Sequence, residues 1–110
     1  MDISTRELKR VNVVTVGGRV DSAAAPDLEK TFQGLIDGHR HQIVVELADV
    51  EYMSSAGLRA LVSALKAAKK GGGDLLIARP STRVREVIEL AGLTSVFAMH
   101  DDLVEAVGSF

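Results

Sequence analysis

Ile43-Val44-Val45-Glu46-Leu47-Ala48-Asp49-Val50-Glu51-Tyr52-Met53-Ser54-Ser55-Ala56-Gly57-Leu58-Arg59-Ala60-Leu61 is the stretch that decides the fold. Its opening, Gln42–Leu47, is a mostly unbroken apolar run, the pattern of a central strand covered on both faces of a sheet. Its end starts a helix near Ser54 that buries Leu58, Leu61, Val62 and Leu65 along one side. Ser54 and Ser55 therefore stand where a strand gives way to a helix. The first N–H groups of a helix lack intrahelical partners and the helix dipole is positive there, so the position favours negative charge. A phosphate on either serine would meet a ready anion site, which makes a switch a better first reading than a catalyst.

Working outward, the same alternation of strand and helix recurs. Upstream, Val11–Val16 is short and rich in β-branched residues and runs into Gly17-Gly18, a strand with a turn signal. Thr5–Leu8 is a weaker, exposed partner strand before it. Ser22 is a capping candidate and Pro26 suits a first helical turn, after which Leu28, Phe32, Leu35 and Ile36 form one apolar stripe up to Gly38. Downstream, Lys66, Lys69 and Lys70 gather at the end of the helix begun at Ser54, where cations complement the dipole, and Gly71-Gly72-Gly73 stops it. Asp74–Arg79 reads as another buried strand closed by Pro80. Ser81 caps a helix with Val84, Val87, Ile88 and Ala91, ended by Gly92. Val96–Met99 is expected as a short strand and Asp101–Val107 as a closing helix. The sum is a single α/β domain over residues 1–110, a mixed sheet of about five strands with about four helices.

Composition narrows the function classes. The 110 residues are 46% hydrophobic but only 4% aromatic, so the core must be aliphatic and base-stacking platforms are disfavoured. The balance of 13 basic and 15 acidic residues gives a formal charge of −2, not the basic footprint of direct nucleic-acid binding. With no cysteine, disulfides, thiol catalysis and zinc–thiolate sites are excluded, which suits a reducing compartment. The polar Met1–Glu7 segment is no signal segment, and no apolar run approaches the ~20 residues that span a bilayer. The expectation is a soluble, cytoplasmic protein without membrane insertion.

At this point the residues resemble a known family. Gly18-Arg19-Val20-Asp21, Val44–Val50 leading into Met53-Ser54-Ser55-Ala56-Gly57-Leu58, the glycine loop before Asp74-Leu75, and Ala91-Gly92-Leu93 occur in the order seen in STAS domains, specifically the bacterial anti-sigma factor antagonists. The resemblance covers almost the whole chain and implies the STAS fold. It also implies partner switching. The unphosphorylated antagonist binds an anti-sigma factor that is also a serine kinase, the sigma factor is released, and phosphorylation ends the complex until a PP2C-type phosphatase resets it. By position the acceptor corresponds to Ser55, two residues before Gly57. The family motif carries Asp just before the acceptor and this chain has Ser54, which becomes the second candidate acceptor. The resemblance also puts Asp21 beside the acceptor, so the implied partner surface is Asp21 with Ser54, Ser55, Ala56, Gly57 and Arg59. STAS domains also serve as unphosphorylated accessory subunits of membrane transport systems, the alternative function on the same fold.

Blander readings stand beside each of these. Serine before a helix is usually an N-cap, and the two roles can be divided, Ser54 capping while Ser55 points outward. Asp21 suits turn chemistry, and Arg59 suits a solvated face. His39 and His41 have no cysteine or carboxylate cluster about them, so no metal site is expected. Arg79, Arg83 and Arg85 suit a solvated face better than an anion site. Gly71–Gly73 lacks the Lys-Ser ending of a phosphate-binding loop. A serine hydrolase would need a Gly-x-Ser-x-Gly elbow and a histidine beside Ser55, and neither is evident. The expected protein is therefore no enzyme and needs no cofactor of its own.

Overall fold

The structure is a computed structural model that describes all of residues 1–110. In chain order it contains β1 (Asp2–Leu8), β2 (Val11–Val20), α1 (Ala25–Asp37), β3 (Gln42–Met53), α2 (Ser55–Lys70), β4 (Asp74–Ala78), α3 (Thr82–Leu90), β5 (Met99–His100) and α4 (Leu103–Gly108). The five strands form one sheet in the order β1-β2-β3-β4-β5. β1 and β2 are an antiparallel hairpin, and every later pairing is parallel, so the sheet is mixed as expected. Lys9 and Arg10 close the hairpin with φ of 51° and 68°, the left-handed pair that matches strand twist in a two-residue turn.

Helices lie on both faces. Val14, Val16, Ile43, Val45, Leu75 and Ile77 meet the buried sides of α1, α2 and α3 in a cluster of 22 buried residues, in which Phe32 and Phe97 are the only aromatics. Val11, Val13, Val44, Leu76 and Ala78 point the other way, onto Ala106 and Val107 of α4. Coverage on both sides is why β3 and β4 read as continuous apolar runs and not as alternating ones. In α2, Leu58, Leu61 and Leu65 supply the apolar volume, while Ala60, Ala64 and Ala68 are small enough to let the helix sit close. Leu61 is fully buried, so its truncation to alanine would cost about 2–5 kcal/mol.

The largest departure from the expected elements is the length of the two central strands. β3 was expected over Gln42–Leu47 and runs on to Met53, while β2 passes straight through Gly17-Gly18 to Val20. The two strands stay paired through register shifts between Thr15 and Gly17 and between Gly18 and Arg19, ending at Val20 opposite Met53. Gly18, at φ +80°, supplies the backbone such a bulge needs, so the glycine pair that looked like a turn is a kink within a strand. β4 ends at Ala78, opposite Glu46, so the last part of β3 projects beyond β4 with β2 as its strand partner. Ser22 caps nothing: the N-cap of α1 is Ala24, without a side-chain bond, and Asp21 does the turning instead. The last strand is Met99–His100, because Val96 and Phe97 belong to a turn in which Val96 N–H bonds to Leu93 O and Phe97 drops into the core. The last helix starts at Leu103, behind the N-cap Asp102.

Candidate functional site

The projecting ends of β2 and β3 deliver two turns side by side. Ser54 N–H donates to Val20 O at 2.8 Å, which ties the start of α2 to the residue just before Asp21. Asp21 folds the chain into α1: its Oδ1 accepts from Ala24 N–H at 2.9 Å, and its carbonyl accepts from Ala24 and Ala25 N–H. The half-buried Asp21 is thus held in place by the turn it makes, next to Ser54.

The two serines separate cleanly. Ser54 is the N-cap of α2, with extended backbone at φ −79° and ψ 166°, and its Oγ accepts from Gly57 N–H at 3.1 Å. Its carbonyl accepts from Leu58 N–H at 3.0 Å. It is half-buried and its acceptors are engaged. Ser55 is the first residue of the helix, exposed, and its hydroxyl makes no hydrogen bond within the protein. The N–H groups of Ser55 and Ala56 belong to the first turn and have no intrahelical acceptor. α2 has no acidic residue in that turn to use the positive end of the dipole.

Gly57 is what lets the helix start so close to the strand tips. A Cβ there would lie 2.6 Å from Met53 Sδ and 2.7 Å from Val20 Cγ1, closer than packed atoms come. Gly57 is buried, so of the expected partner-facing set it acts in this structure mainly as the spacer beneath the others. Ala56 is half-buried and Arg59 exposed. Arg59 makes no ion pair or hydrogen bond, unlike Arg79, Arg83 and Arg85, which pair with Glu46, Glu86 and Asp101.

The serine–arginine face continues as a shallow groove lined by Ser55, Leu58, Arg59, Val62, Ser63, Lys66 and Leu93. The α2 members recur at helical spacing, so the sequence alone could have grouped Ser55, Arg59, Val62, Ser63 and Lys66. Leu93, from the turn after α3, carries no such signal. At the strand tips Arg19 lies 4.5 Å over the Tyr52 ring, a contact set by their pairing across β2 and β3. The projecting edge of β3 is braced by α3: Ser81 N–H donates to Leu47 O at 3.2 Å, and Ser81 Oγ donates to Val50 O at 2.8 Å while accepting from Val84 N–H at 3.2 Å.

No histidine joins Ser55. His39 and His41 precede β3, a twelve-residue strand away, and pack edge-on with ring centroids 6.2 Å apart. His100 pairs with Ala78, alongside Glu46 rather than Ser54, and its Nδ1 faces Glu105 at 3.5 Å. No group of three ligating side chains comes together for a metal, and no helix is long and apolar enough to cross a membrane.

The fold is a small single α/β domain with a mixed five-stranded sheet, and comparison with known proteins places it. The family model described as STAS domain matches residues 2–106, and the chain belongs to that family. It is 30% identical over 101 residues to an anti-sigma-B factor antagonist of Staphylococcus aureus, covering 92% of this chain and 94% of that protein. It superposes on an anti-sigma factor antagonist of Mycobacterium paratuberculosis with a TM-score of 0.88 at 26% identity, covering 98% of this chain and 92% of that one. The Bacillus cell fate determinant SpoIIAA, solved in its phosphorylated form, shares the fold with a TM-score of 0.80 at 18% identity over 98% of both chains.

Proposed function

We propose that this protein is an anti-sigma factor antagonist, a regulatory binding protein whose docking to an anti-sigma factor serine kinase is gated by phosphorylation of Ser55. The observation that carries the reading is the division of labour between neighbouring serines: Ser54 Oγ is bonded to Gly57 N–H, while Ser55 Oγ is exposed and unbonded one residue later. The family membership and the antagonist relatives support it, as does a structural neighbour known in a phosphorylated form. The docking surface is Asp21, Ser54, Ser55, Ala56 and Arg59, with Gly57 beneath it.

The chemistry belongs to the partners. The kinase moves the γ-phosphoryl of ATP onto Ser55 Oγ; the bond to the ADP oxygen breaks and the hydroxyl proton passes to a base of the kinase. A PP2C-type phosphatase hydrolyses the ester and restores the hydroxyl. This chain supplies an accessible oxygen on a rigid helix start. The phosphate adds about −1.5 to −2 charge where unbonded N–H groups and the dipole favour it, so the fold survives. Against a close-fitting partner the same dianion must be desolvated, so the complex dissociates. The switch acts at the interface and leaves the scaffold in place.

Titration calorimetry against the kinase tests this. Ser55→Ala retains binding, and Ser55→Asp keeps its circular dichroism spectrum but binds at least about thirty-fold more weakly, the equivalent of ~2 kcal/mol. Undiminished affinity of a folded Ser55→Asp variant would refute the reading.

A further inference from the structure

Arg59 stands one helical turn beyond Ser55, both are exposed, and both line the same groove. Residues four apart on a helix are neighbours, with Cβ atoms about 5–6 Å apart. Arg59 has no carboxylate to hold it, and the first turn of α2 contains no acid. The three arginines around α3 are each paired, which leaves Arg59 the unengaged guanidinium at the candidate site.

Resting on the assignment of Ser55 as the acceptor, we infer that Arg59 is the internal counter-ion of the phosphate: a clamp that folds back one turn onto phosphorylated Ser55. The planar guanidinium matches phosphate oxygens in a two-point, charge-assisted contact, and the unbonded Ser55 and Ala56 N–H groups face the same anion. One modification then changes two charges at the docking surface. It adds a dianion at Ser55 and withdraws a cation that the unmodified chain presents to its partner. Arg59 is a positioning residue in this scheme, acting on the modified side chain and not on the transfer step.

The test uses the full chain with phosphoserine installed at position 55 during synthesis, so no kinase is involved, and follows the phosphate by phosphorus NMR across its second ionisation. A neighbouring cation favours the dianion, so Arg59→Gln raises that midpoint by about half a unit relative to the phosphorylated parent. Asp21 on the adjoining turn and Lys66 further along α2 are common to both proteins, so the difference isolates Arg59. Arg59→Lys, which keeps the charge but not the two-point fork, recovers only part of the shift, about 0.5 M salt shrinks it, and Arg83→Gln on α3 leaves the midpoint where it was. Identical titrations of the parent and Arg59→Gln overturn the clamp, as does an equal shift from Arg83→Gln. Failure of the cognate kinase to label Ser55 is a separate result, and it strikes at the functional reading alone.

Discussion

Two helix starts in this molecule are built from the same parts and tied into the sheet to different degrees. α2 and α3 both follow a parallel strand, both have a serine N-cap with an extended backbone, and both carry arginine nearby. At α3 the cap serine and both arginines are engaged, although Thr82, the residue after the cap, is exposed with an unbonded hydroxyl as Ser55 is. Ser81 accepts from its own helix, donates across to Val50 O and bonds through its N–H to Leu47 O, and Arg83 and Arg85 are paired. At α2 the cap serine is engaged but the next serine and the arginine one turn on are left open. The α3 start acts as a bolt that holds the projecting end of β3. The α2 start is held by that end and leaves Ser55 and Arg59 exposed and unbonded, the groups that the proposed function assigns to partner docking. Under the proposed switch, a site that exchanges partners needs free groups on a stiff mount, and the two helix starts would divide that work.

The sharpest way to break the comparison is to remove the bolt. Ser81→Ala strips the cap and leaves the carbonyl of buried Val50 without its donor, and should destabilise by about 3 kcal/mol in urea unfolding. A loss no larger than an ordinary cap deletion would show that the bond to Val50 is idle. Next is the mount. Gly57→Ala gains helix propensity but forces a methyl against Val20 and Met53, so a net loss of about 2 kcal/mol is expected, with kinase binding weakened as the helix start is pushed off the strand tips. A stabilised variant would contradict the close packing. Third, Ser54→Ala removes the bond to Gly57 N–H and should cost about 1 kcal/mol, visible as a lowered melting temperature. Smallest is Ser55→Ala, expected within about 0.5 kcal/mol of the parent, because the hydroxyl is exposed and unbonded. If the two neighbouring serines cost the same, the division of roles between them is wrong.

Much of this was legible in the chain. Element order, the mixed sheet, the caps Ser54 and Ser81 and the glycine stop after Lys70 follow from periodicity and local hydrogen-bonding chemistry, which are properties of neighbours in sequence. What escaped depends on contacts between distant residues. Gly17-Gly18 has the signature of a turn, and only the pairing of β2 with the far half of β3 makes it a bulge. Ser22 has capping chemistry, but Asp21 takes the Ala24 N–H first. Gly57 looked like part of an exposed motif, and its burial shows only once Val20 is brought across from β2. At the site, the position of Ser55 was readable as a helix start, whereas the unpaired state of Arg59 required knowing which acids stand elsewhere.

The account's centre is that Ser55, and not its capping neighbour, is the exchangeable group. Incubation of the purified protein with its cognate kinase and ATP, followed by fragmentation mass spectrometry, tests this most directly. The prediction is one phosphate per chain, on Ser55, absent from Ser55→Ala although Ser54 and Thr82 remain. Phosphate on Ser54 or on Thr82 at the start of α3, or a chain left unmodified by a kinase that binds it, would contradict the account.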